Sequence, residues 1–581
     1  MPPPPRLVVR VTLAALVALG AVHCGSNGGD GGDLPGDDAG GLDTPASDAP
    51  GADSRGGPDA PTDGPRDARA DGVGDGAVDG SDGGPPGEPP LPPAAGKDRV
   101  LVVYNTKWTE DQDKDGAQDS LQIAQYYAKK RGIPDAHVLG IATGTDTGTD
   151  FASYQSEIAK PIHDALGKLG PTTIDVITLI YGIPLGLNDL PTGGTTKGTV
   201  DNFLMGLEHW TDVASMAWLQ NPYLDNAPTF DKEPGHFDHA TFKFMGSEMY
   251  LVARIDGPRG VAGPLDIIDQ ALYGERYVGT KPGDYGGTIY VDARFGHKLD
   301  DLAKDPDVSS GAYYAYDQGD KNMAYAARIC DGFGFPVKYE STDKSIGEDG
   351  ALFTDGSSAK GAPRALMYGG WYNYGRYVDG FEWLPGSVGC DLDSGSLVFW
   401  QVHGGDVWWG WNAFLRGATA VAGVATEPYL NGHPRPNILL YYMVKGYDFA
   451  EASALATPSI GWMPINVGDP LYAPLRKDKP HVLDDKAPKL LGAPTVWSNA
   501  GKTYLSLMVD DAIDPEVVKV AIDWGKDATY GTKGTSGEGY FRRPTLELVG
   551  ATSKATIHYA LTLTDPVGNV TKIADATTTV P

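Results

Sequence analysis

The sequence predicts an α/β fold with a largely parallel sheet covered by helices, followed by a C-terminal β-sandwich. Two observations indicate this. Between residues 97 and 480, short runs of β-branched and other apolar residues alternate with segments of helical period, and this alternation is typical of parallel sheets. From residue 486 the helical period disappears and only short strand-like runs remain. The predicted α/β domain therefore spans 97–480 and the predicted β-sandwich spans 486–581.

The first 24 residues have the pattern of an export signal. Arg6 and Arg10 precede and flank the apolar run 11–22, which is shorter than the about 20 residues needed to span a bilayer and fits a signal peptide. Cys24 closes the segment, as in lipoproteins whose new N-terminal cysteine is acylated. We expect this lipid to hold the chain on the outer membrane or cell surface. The alternative is ordinary cleavage and secretion of a free protein.

Residues 25–96 consist almost entirely of Gly, Asp, Pro, Ala, Ser and Thr and contain no aromatic residue. Such a segment cannot bury enough apolar surface to offset its conformational entropy, so we predict a disordered acidic stalk. The whole chain carries a formal charge of −29. Because a phosphate backbone must be met by clustered Lys and Arg, this balance argues against nucleic acid as a partner.

The first strand of the α/β domain is predicted at 99–104, where RVLVVY is an apolar run of the kind buried on both faces. Asp119 and Ser120 then offer a helix cap, and the helical period continues to Gly132. Further strands are predicted at 174–181, 249–255, 287–292, 364–369 and 418–424. Further helices are predicted at 154–169, 264–276, 321–333, 406–416 and 437–456. Residues 188–247 and 296–318 are predicted to be loops or insertions.

The C-terminal region shows the two-residue period of half-buried strands. Apolar and more polar positions alternate over 504–510, and shorter runs follow at 517–522, 545–549 and 555–563. About a hundred residues of short strands without helical period predict a β-sandwich of the immunoglobulin or fibronectin type. Such modules serve as spacers or binding units.

Ligands of an open parallel sheet bind beyond the carboxyl ends of its strands. In the first half of the domain, the residues that follow predicted strands include Asn105 and Asp256. In the second half they are Gly370, Trp371, Tyr372, Asp391, Asp393 and Glu427. If all strands run parallel, these residues meet at one edge and line one binding crevice. The alternative is that they are ordinary polar loop residues.

Eight phrases between residues 99 and 476 carry a family resemblance: VLVVYN, QYYAKKRGIP, YLVARIDGP, IIDQAL, YGGWYNYG, LPGSVG, LRGATAVAGVATEPY and NVGDPLY. In this order they resemble an uncharacterised family of exported bacterial proteins, from which no activity carries over. More remotely, the same order resembles cysteine peptidases of the gingipain type, which implies a caspase-like α/β fold.

The gingipain resemblance implies positions for two catalytic residues. The catalytic cysteine of those enzymes follows a late strand, which corresponds to Cys390 here. Their catalytic histidine lies in a His-Gly pair one strand earlier, where this sequence has Gly369-Gly370-Trp371. A thiol nucleophile needs a base or cation to lower its pKa, and His403, thirteen residues after Cys390, is the substitute that lies close in sequence.

Two other interpretations of Cys390 stay open. Cysteine is among the most buried residue types, so Cys390 can simply be a core residue. An exported chain can also pair Cys330 with Cys390 in a disulfide, because these are the two cysteines left once Cys24 is lipidated.

Residues 111–122 match much of the calcium loop of EF-hand and related proteins. Gly116 stands at position 6, where the loop needs a sharp turn. Position 12 departs from the pattern, because it holds an amide instead of the bidentate Glu. The candidate ligands at positions 1, 3, 5, 7 (through its carbonyl), 9 and 12 are Asp111, Asp113, Asp115, Ala117, Asp119 and Gln122. We predict a calcium site, and the alternative is a solvated acidic turn.

Two functions are compatible with these patterns. The first is a surface hydrolase that uses Cys390 with His403, or another chemistry based on Asp391, Asp393 or Glu427. The second is a surface module for binding or adhesion, in which a degenerate, non-peptidase relative of the gingipain fold is presented on a stalk to a protein or peptide ligand. The histidine missing before Trp371 favours the second.

Overall fold

The computed structural model describes residues 96–581 except 171, 192–196, 226–234, 282–283, 297–315, 372–376, 398–407, 427–429, 477, 481, 511–515 and 538. The predicted signal with Cys24, the predicted stalk, and the candidate residues Tyr372, His403 and Glu427 lie outside the described residues. The described residues belong to one compact unit. Within them, no helix combines the length and the apolar character needed to cross a bilayer.

A ten-stranded sheet forms the centre of the described α/β region. Its strands are β1 (Val100–Asn105), β2 (Val138–Ile141), β3 (Val176–Ile180), β4 (Leu251–Ile255), β5 (Thr288–Asp292), β6 (Val337–Glu340), β7 (Ala362–Gly370), β8 (Phe381–Asp391), β9 (Ala420–Val424) and β10 (Pro464–Val467). The spatial order is β6-β5-β7-β8-β9-β10-β4-β3-β1-β2. Every neighbouring pair is parallel except β9 and β10. The prediction of an α/β fold with a largely parallel sheet is confirmed.

The sheet consists of two blocks that meet where β10 pairs antiparallel with β9. The first block contains β1 to β4 and β10, and the second contains β5 to β9. Of the residues predicted to line a crevice, Asn105 ends β1 and Asp256 follows β4 in the first block, whereas Gly370 and Asp391 end β7 and β8 in the second.

The longer helices are α1 (Asp119–Arg131), α2 (Lys160–Leu169), α3 (Ala262–Tyr277), α4 (Tyr316–Gly332), α5 (Trp409–Leu415), α6 (Pro436–Lys445) and α7 (Phe449–Ala456). Local sequence explains several ends. Gly132 and Gly446 end α1 and α6 with φ of 68° and 92°, a backbone region that glycine adopts without strain. Asp448 begins α7 by accepting a hydrogen bond from the Glu451 amide at 2.8 Å.

Short elements fill the connections. They are the helical segments Phe151–Ser153, Tyr154–Ala159 (a π-helix), Val200–Leu204, Val213–Met216 and Pro222–Asp225, and the 3₁₀ turns Lys97–Arg99, Asp135–His137, Leu207–His209 and Leu430–Gly432. The short strands are Gly148–Asp150, Gly186–Asn188, Lys197–Thr199, Leu219–Gln220, Lys243–Phe244, Ser247–Glu248 and Ser459–Ile460. Several of them lie within 188–247, which was predicted to be loop, because two- and three-residue strands are too short to show a period.

Both faces of the second block are buried. In β5, Ile289 and Val291 pack into one apolar core, while Tyr290 between them packs into another with Trp383 and Trp409. Successive strand residues point to opposite faces, so the sheet separates two cores, as its continuous apolar strands predict.

The C-terminal region contains only antiparallel sheets among its described residues. One has the order β11 (Thr495–Asn499), β12 (Lys502–Ser506) and β15 (Thr545–Glu547), and the other has the order β14 (Thr532–Thr535), β13 (Lys519–Gly525), β16 (Thr556–Thr564) and β17 (Val570–Thr579). Leu505 and Leu546 of the first sheet and Val520 and Leu561 of the second contribute to one core. The predicted change from an α/β region to antiparallel strands is confirmed.

Helix α3 lies between the central sheet and the C-terminal sheets, and nearly all its side chains are buried. Arg543 reaches back to this helix and contacts Asp266 at 3.1 Å and Asp269 at 2.7 Å. The Gln270 amide donates to the carbonyl of Tyr540 at 2.7 Å. Paired and hydrogen-bonded polar groups of this kind fix the orientation of two packed units, so the C-terminal sheets are firmly joined to the α/β region.

Candidate functional site

The polar residues at the carboxyl edge of the first block are used in structural contacts. Arg254 of β4 is fully buried and binds Asp201 through two hydrogen bonds of 2.9 and 2.6 Å. It also contacts Asp256 at 3.1 Å. Asn105 donates to the carbonyl of Gly182 at 2.8 Å. Buried charges require such partners, so Asn105 and Asp256, which were predicted to line a crevice, take part in contacts that hold this edge together.

At the carboxyl edge of the second block, three carboxyl side chains stand in one row across neighbouring strands. Asp292 of β5 is in register with Glu340 of β6 on one side and with Gly370 of β7 on the other. Gly370 is in register with Asp391 of β8. In-register residues of parallel strands point to the same face, and the strands are about 4.8 Å apart. The three carboxyls therefore share a face, and all three are fully buried.

Asp292 and Glu340 form a buried carboxyl pair. The Ile346 amide donates to Asp292 at 2.9 Å, and the Thr342 amide donates to Glu340 at 3.0 Å. Burial and the neighbouring Glu340 raise the pKa of Asp292 well above its usual range. Burial raises the pKa of Glu340 as well, and two enclosed carboxyls cannot both ionise at low cost.

Gly370 and Trp371 lie directly beside this pair. A Cβ atom at Gly370 would stand 2.6 Å from the Cβ of Asp292, so only glycine fits between the carboxyls. The Trp371 amide donates to the carbonyl of Asp292 at 2.9 Å. The indole of Trp371 meets the ring of Phe295 edge to face, with centroids 6.4 Å apart. Of the predicted crevice residues, the structure thus brings together Gly370, Trp371 and Asp391.

Cys390 precedes Asp391 in β8, so its side chain leaves the sheet on the opposite face from the carboxyl row. It is fully buried, and its thiol donates to the carbonyl of Pro434 with Sγ and O 3.7 Å apart. Burial and the charge of Asp391 raise the pKa of Cys390 well above its usual range. Cys330, on α4, is also buried, and both cysteines are free thiols, so the disulfide alternative is wrong.

The predicted calcium loop folds into a compact turn. Carboxylate oxygens of Asp111, Asp113 and Asp115 lie within 4.8 Å of one another. The Gln122 amide donates to Asp113 at 2.9 Å and to Asp115 at 2.6 Å, so position 12 reaches the cluster. Asp119 is fully buried at the start of α1, and burial raises its pKa. The structure therefore brings Asp111, Asp113, Asp115 and Gln122 together, whereas Asp119 accepts a hydrogen bond from the Gln112 amide at 2.9 Å.

An open cavity of about 570 Å³ lies beside α7 and the segment that precedes β1. The imidazole of His236 stands at this cavity with 73 % of its side chain exposed, and its Nδ1 is 3.1 Å from both carboxylate oxygens of Glu451. The His236 ring packs on Tyr447 with centroids 4.9 Å apart. Arg99, Lys445 and Arg476 add positive charge to the lining.

Sequence reasoning missed Asp292, Glu340 and the His236–Glu451 pair as site residues. Asp292 could have been identified from the sequence, because it is the last residue of the strand that was predicted at 287–292. Glu340 ends a four-residue strand, VKYE, in which polar residues interrupt the apolar pattern. His236 and Glu451 are 215 residues apart, and only the packing of α7 brings them together.

The sequence matches no protein-family model and no curated protein. Two crystal structures of wild-type OgpA from Akkermansia muciniphila are similar in part, with 8 % and 9 % sequence identity and TM-scores of 0.13 and 0.15. These matches cover 53 % and 54 % of this chain and 97 % and 98 % of those chains. TM-scores this low carry no inference about fold or function.

Proposed function

We propose that this chain is an exported protein, anchored to the cell surface by a lipid on Cys24, that binds a peptide ligand and is not a thiol peptidase. In this proposal the α/β region is a degenerate relative of the gingipain type with a caspase-like fold. The C-terminal antiparallel sheets serve as an immunoglobulin-like spacer. The observation that carries the proposal is the state of the Cys390 thiol.

A thiol peptidase needs a thiolate that is exposed to substrate and stabilised by a neighbouring cation. Cys390 has the opposite surroundings, because its thiol is fully buried, is bonded to a backbone carbonyl and has a raised pKa. The carboxyl row beside it is enclosed as well. These features support a packing role for Cys390 in the core and argue against acyl transfer by this thiol.

The cavity at His236 supports the binding part of the proposal. Ligand sites are concave and carry a few convergent polar groups, and this cavity offers Glu451 and Asp478 together with Arg99, Lys445 and Arg476. Both signs of charge suit a peptide, which presents amines, carboxylates and amides in one chain. The exposed His236 ring, which packs on Tyr447, adds an apolar surface for a side chain.

A fluorescence-polarisation screen of the full chain against a library of short peptides tests this proposal. His236→Ala and Arg476→Ala should each weaken the best binder at least about tenfold, which corresponds to about 1.4 kcal/mol. His163→Ala, a half-exposed histidine elsewhere, is the matched control and should not change affinity. The proposal fails if no peptide binds, or if the cavity variants bind as well as the control.

We also propose that the loop 111–122 binds one Ca²⁺ and orders the entry to α1. The three clustered carboxylates support this, since oxygen atoms are the ligands that Ca²⁺ prefers. The ion would have a structural role, because the loop lies at the start of helix α1 and contains none of the candidate catalytic residues.

A further inference from the structure

A second group of three carboxyls converges where the C-terminal sheets meet the α/β region. Asp484 belongs to the connection between the two regions, Glu516 precedes β13, and Asp565 lies in the turn between β16 and β17. One carboxylate oxygen of each lies within 4.8 Å of the others. Two oxygens bound to the same Ca²⁺ at about 2.4 Å are at most about 4.8 Å apart, so the three oxygens can reach one ion.

Asp565 supplies the cluster with a carboxylate that the fold holds in a fixed position. Its side chain is 1 % exposed, and Oδ1 accepts hydrogen bonds from the amides of Val567, Gly568 and Asn569 at 3.0, 2.7 and 2.8 Å. Those three bonds fix the carboxylate. The other oxygen, Oδ2, is enclosed and accepts no hydrogen bond. Because Oδ1 is already used by the turn, Oδ2 is the oxygen that Asp565 offers to the cluster. A buried acceptor without a donor is costly and indicates a ligand.

The other side of the cluster is tied to the α/β region. The hydroxyl of Tyr273, on helix α3, donates to Asp484 at 2.7 Å. The side-chain amide of Asn569 donates to the backbone carbonyl of Asp484 at 3.2 Å. The turn that contains Asp565 therefore also binds the segment that connects the two regions. Arg364, at the start of β7, donates to the carbonyl of Pro566 at 3.1 Å.

We propose that Asp484, Glu516 and Asp565 bind a calcium ion that fastens the C-terminal sheets to the α/β region. The ligand set consists of oxygen atoms, which favours Ca²⁺ over zinc or copper. Asp484 and Glu516 are half-exposed, so water can complete the six to eight ligands that Ca²⁺ takes. This site is independent of the loop 111–122 and of the peptide cavity. Its affinity should fall in the range of extracellular modules, about 10⁻⁴ to 10⁻³ M.

Hydrogen exchange of the full chain, measured by mass spectrometry with calcium and with chelator, tests the site locally. Calcium should slow exchange in the peptides that contain residues 484–490 and 565–569. Asp565→Asn should abolish this protection, because it keeps the Oδ1 acceptor of the turn and replaces Oδ2 with a donor. Asp113→Asn, in the other loop, should leave it intact. Asp523→Asn, an exposed carboxyl of β13, is the matched control.

A calcium titration should also show one fewer bound ion in Asp565→Asn than in the wild type. Glu516→Gln gives the same test if Asp565→Asn does not fold. The proposal is overturned if these variants bind as many ions as the wild type, or if calcium does not protect the two peptides. Equal protection by Mg²⁺ at the same concentration would contradict the assignment of calcium, because Mg²⁺ requires a tighter octahedral site.

Discussion

Arg131, the last residue of α1, forms an ion pair with Asp469, which follows the last strand of the central sheet, and both side chains are almost completely buried. Tyr127 also donates to Asp469 at 2.9 Å, and Glu275 of α3 contacts Arg131 at 2.6 Å. The Gly468-Asp469-Pro470 motif thus has a structural role, because it joins the first helix of the fold to the end of its last strand.

Removal of Asp469 should therefore destabilise the whole α/β region. We expect Asp469→Ala to lower the free energy of unfolding by about 3–5 kcal/mol, since it leaves the buried Arg131 without this charge partner. Urea denaturation measures the change. Asp135→Ala, at an exposed site after α1, is the control and should cost little. A loss below about 1 kcal/mol for Asp469→Ala would contradict the assigned role.

Native thiol reactivity should be low. Iodoacetamide should label Cys330 and Cys390 slowly at neutral pH and rapidly after unfolding, because both thiols are fully buried and burial raises the pKa of each. Ser553→Cys, at an exposed turn, provides a positive control. Rapid labelling of Cys390 in the native chain, together with peptide hydrolysis that both Cys390→Ala and His403→Ala abolish, would restore the surface hydrolase.

The Asp292–Glu340 pair should make stability depend on pH. The folded-state pKa of Asp292 is raised. The contribution of Asp292 to the free energy of unfolding is therefore fully present below its unfolded-state pKa of about 3.9, and it is lost as pH rises through its folded-state pKa. Asp292→Asn, which mimics the protonated form, should remove this dependence and be more stable than the wild type at alkaline pH. Calorimetry from about pH 5 to about pH 8 measures the difference, at most about 1.4 kcal/mol per pH unit. Asp135→Asn, at an exposed carboxyl after α1, should behave as the wild type does.

Calcium should raise the melting temperature through the loop 111–122. Ligand that binds only the native state adds stability with concentration, and Asp113→Asn should reduce the shift, because Asp113 belongs to the carboxylate cluster. Asp135→Asn is the control. An identical response of Asp113→Asn and the wild type to millimolar calcium would contradict the site.

The lipid anchor makes a separate prediction about location. Cys24→Ser should move the protein from the membrane fraction to the soluble fraction, since a thioether-linked lipid would be its attachment. Mass spectrometry of the mature N-terminus gives an independent reading. A mature chain that begins beyond residue 24 would contradict the anchor.

Much of the α/β region could be predicted because its strands and helices carry strong local patterns. The strand predicted at 287–292 is β5 (Thr288–Asp292), and the helix predicted at 264–276 is α3 (Ala262–Tyr277). The strands β2, β6 and β10 were missed, because each has four residues and polar or glycine interruptions. The antiparallel pairing of β10 with β9 could not be predicted, since the two-residue period of a strand is the same in both directions along it.

The position of β10 has a consequence for how the chain folds. Residues 464–467 come last among the strands of the central sheet, yet they lie in its middle, between β9 and β4. A chain that emerges from its N-terminus can form β1 to β4 and β5 to β9 as separate halves, each with an open inner edge. The halves are joined only when residue 467 has emerged, so a chain cut short before that point would expose two unpaired strand edges and be prone to aggregate.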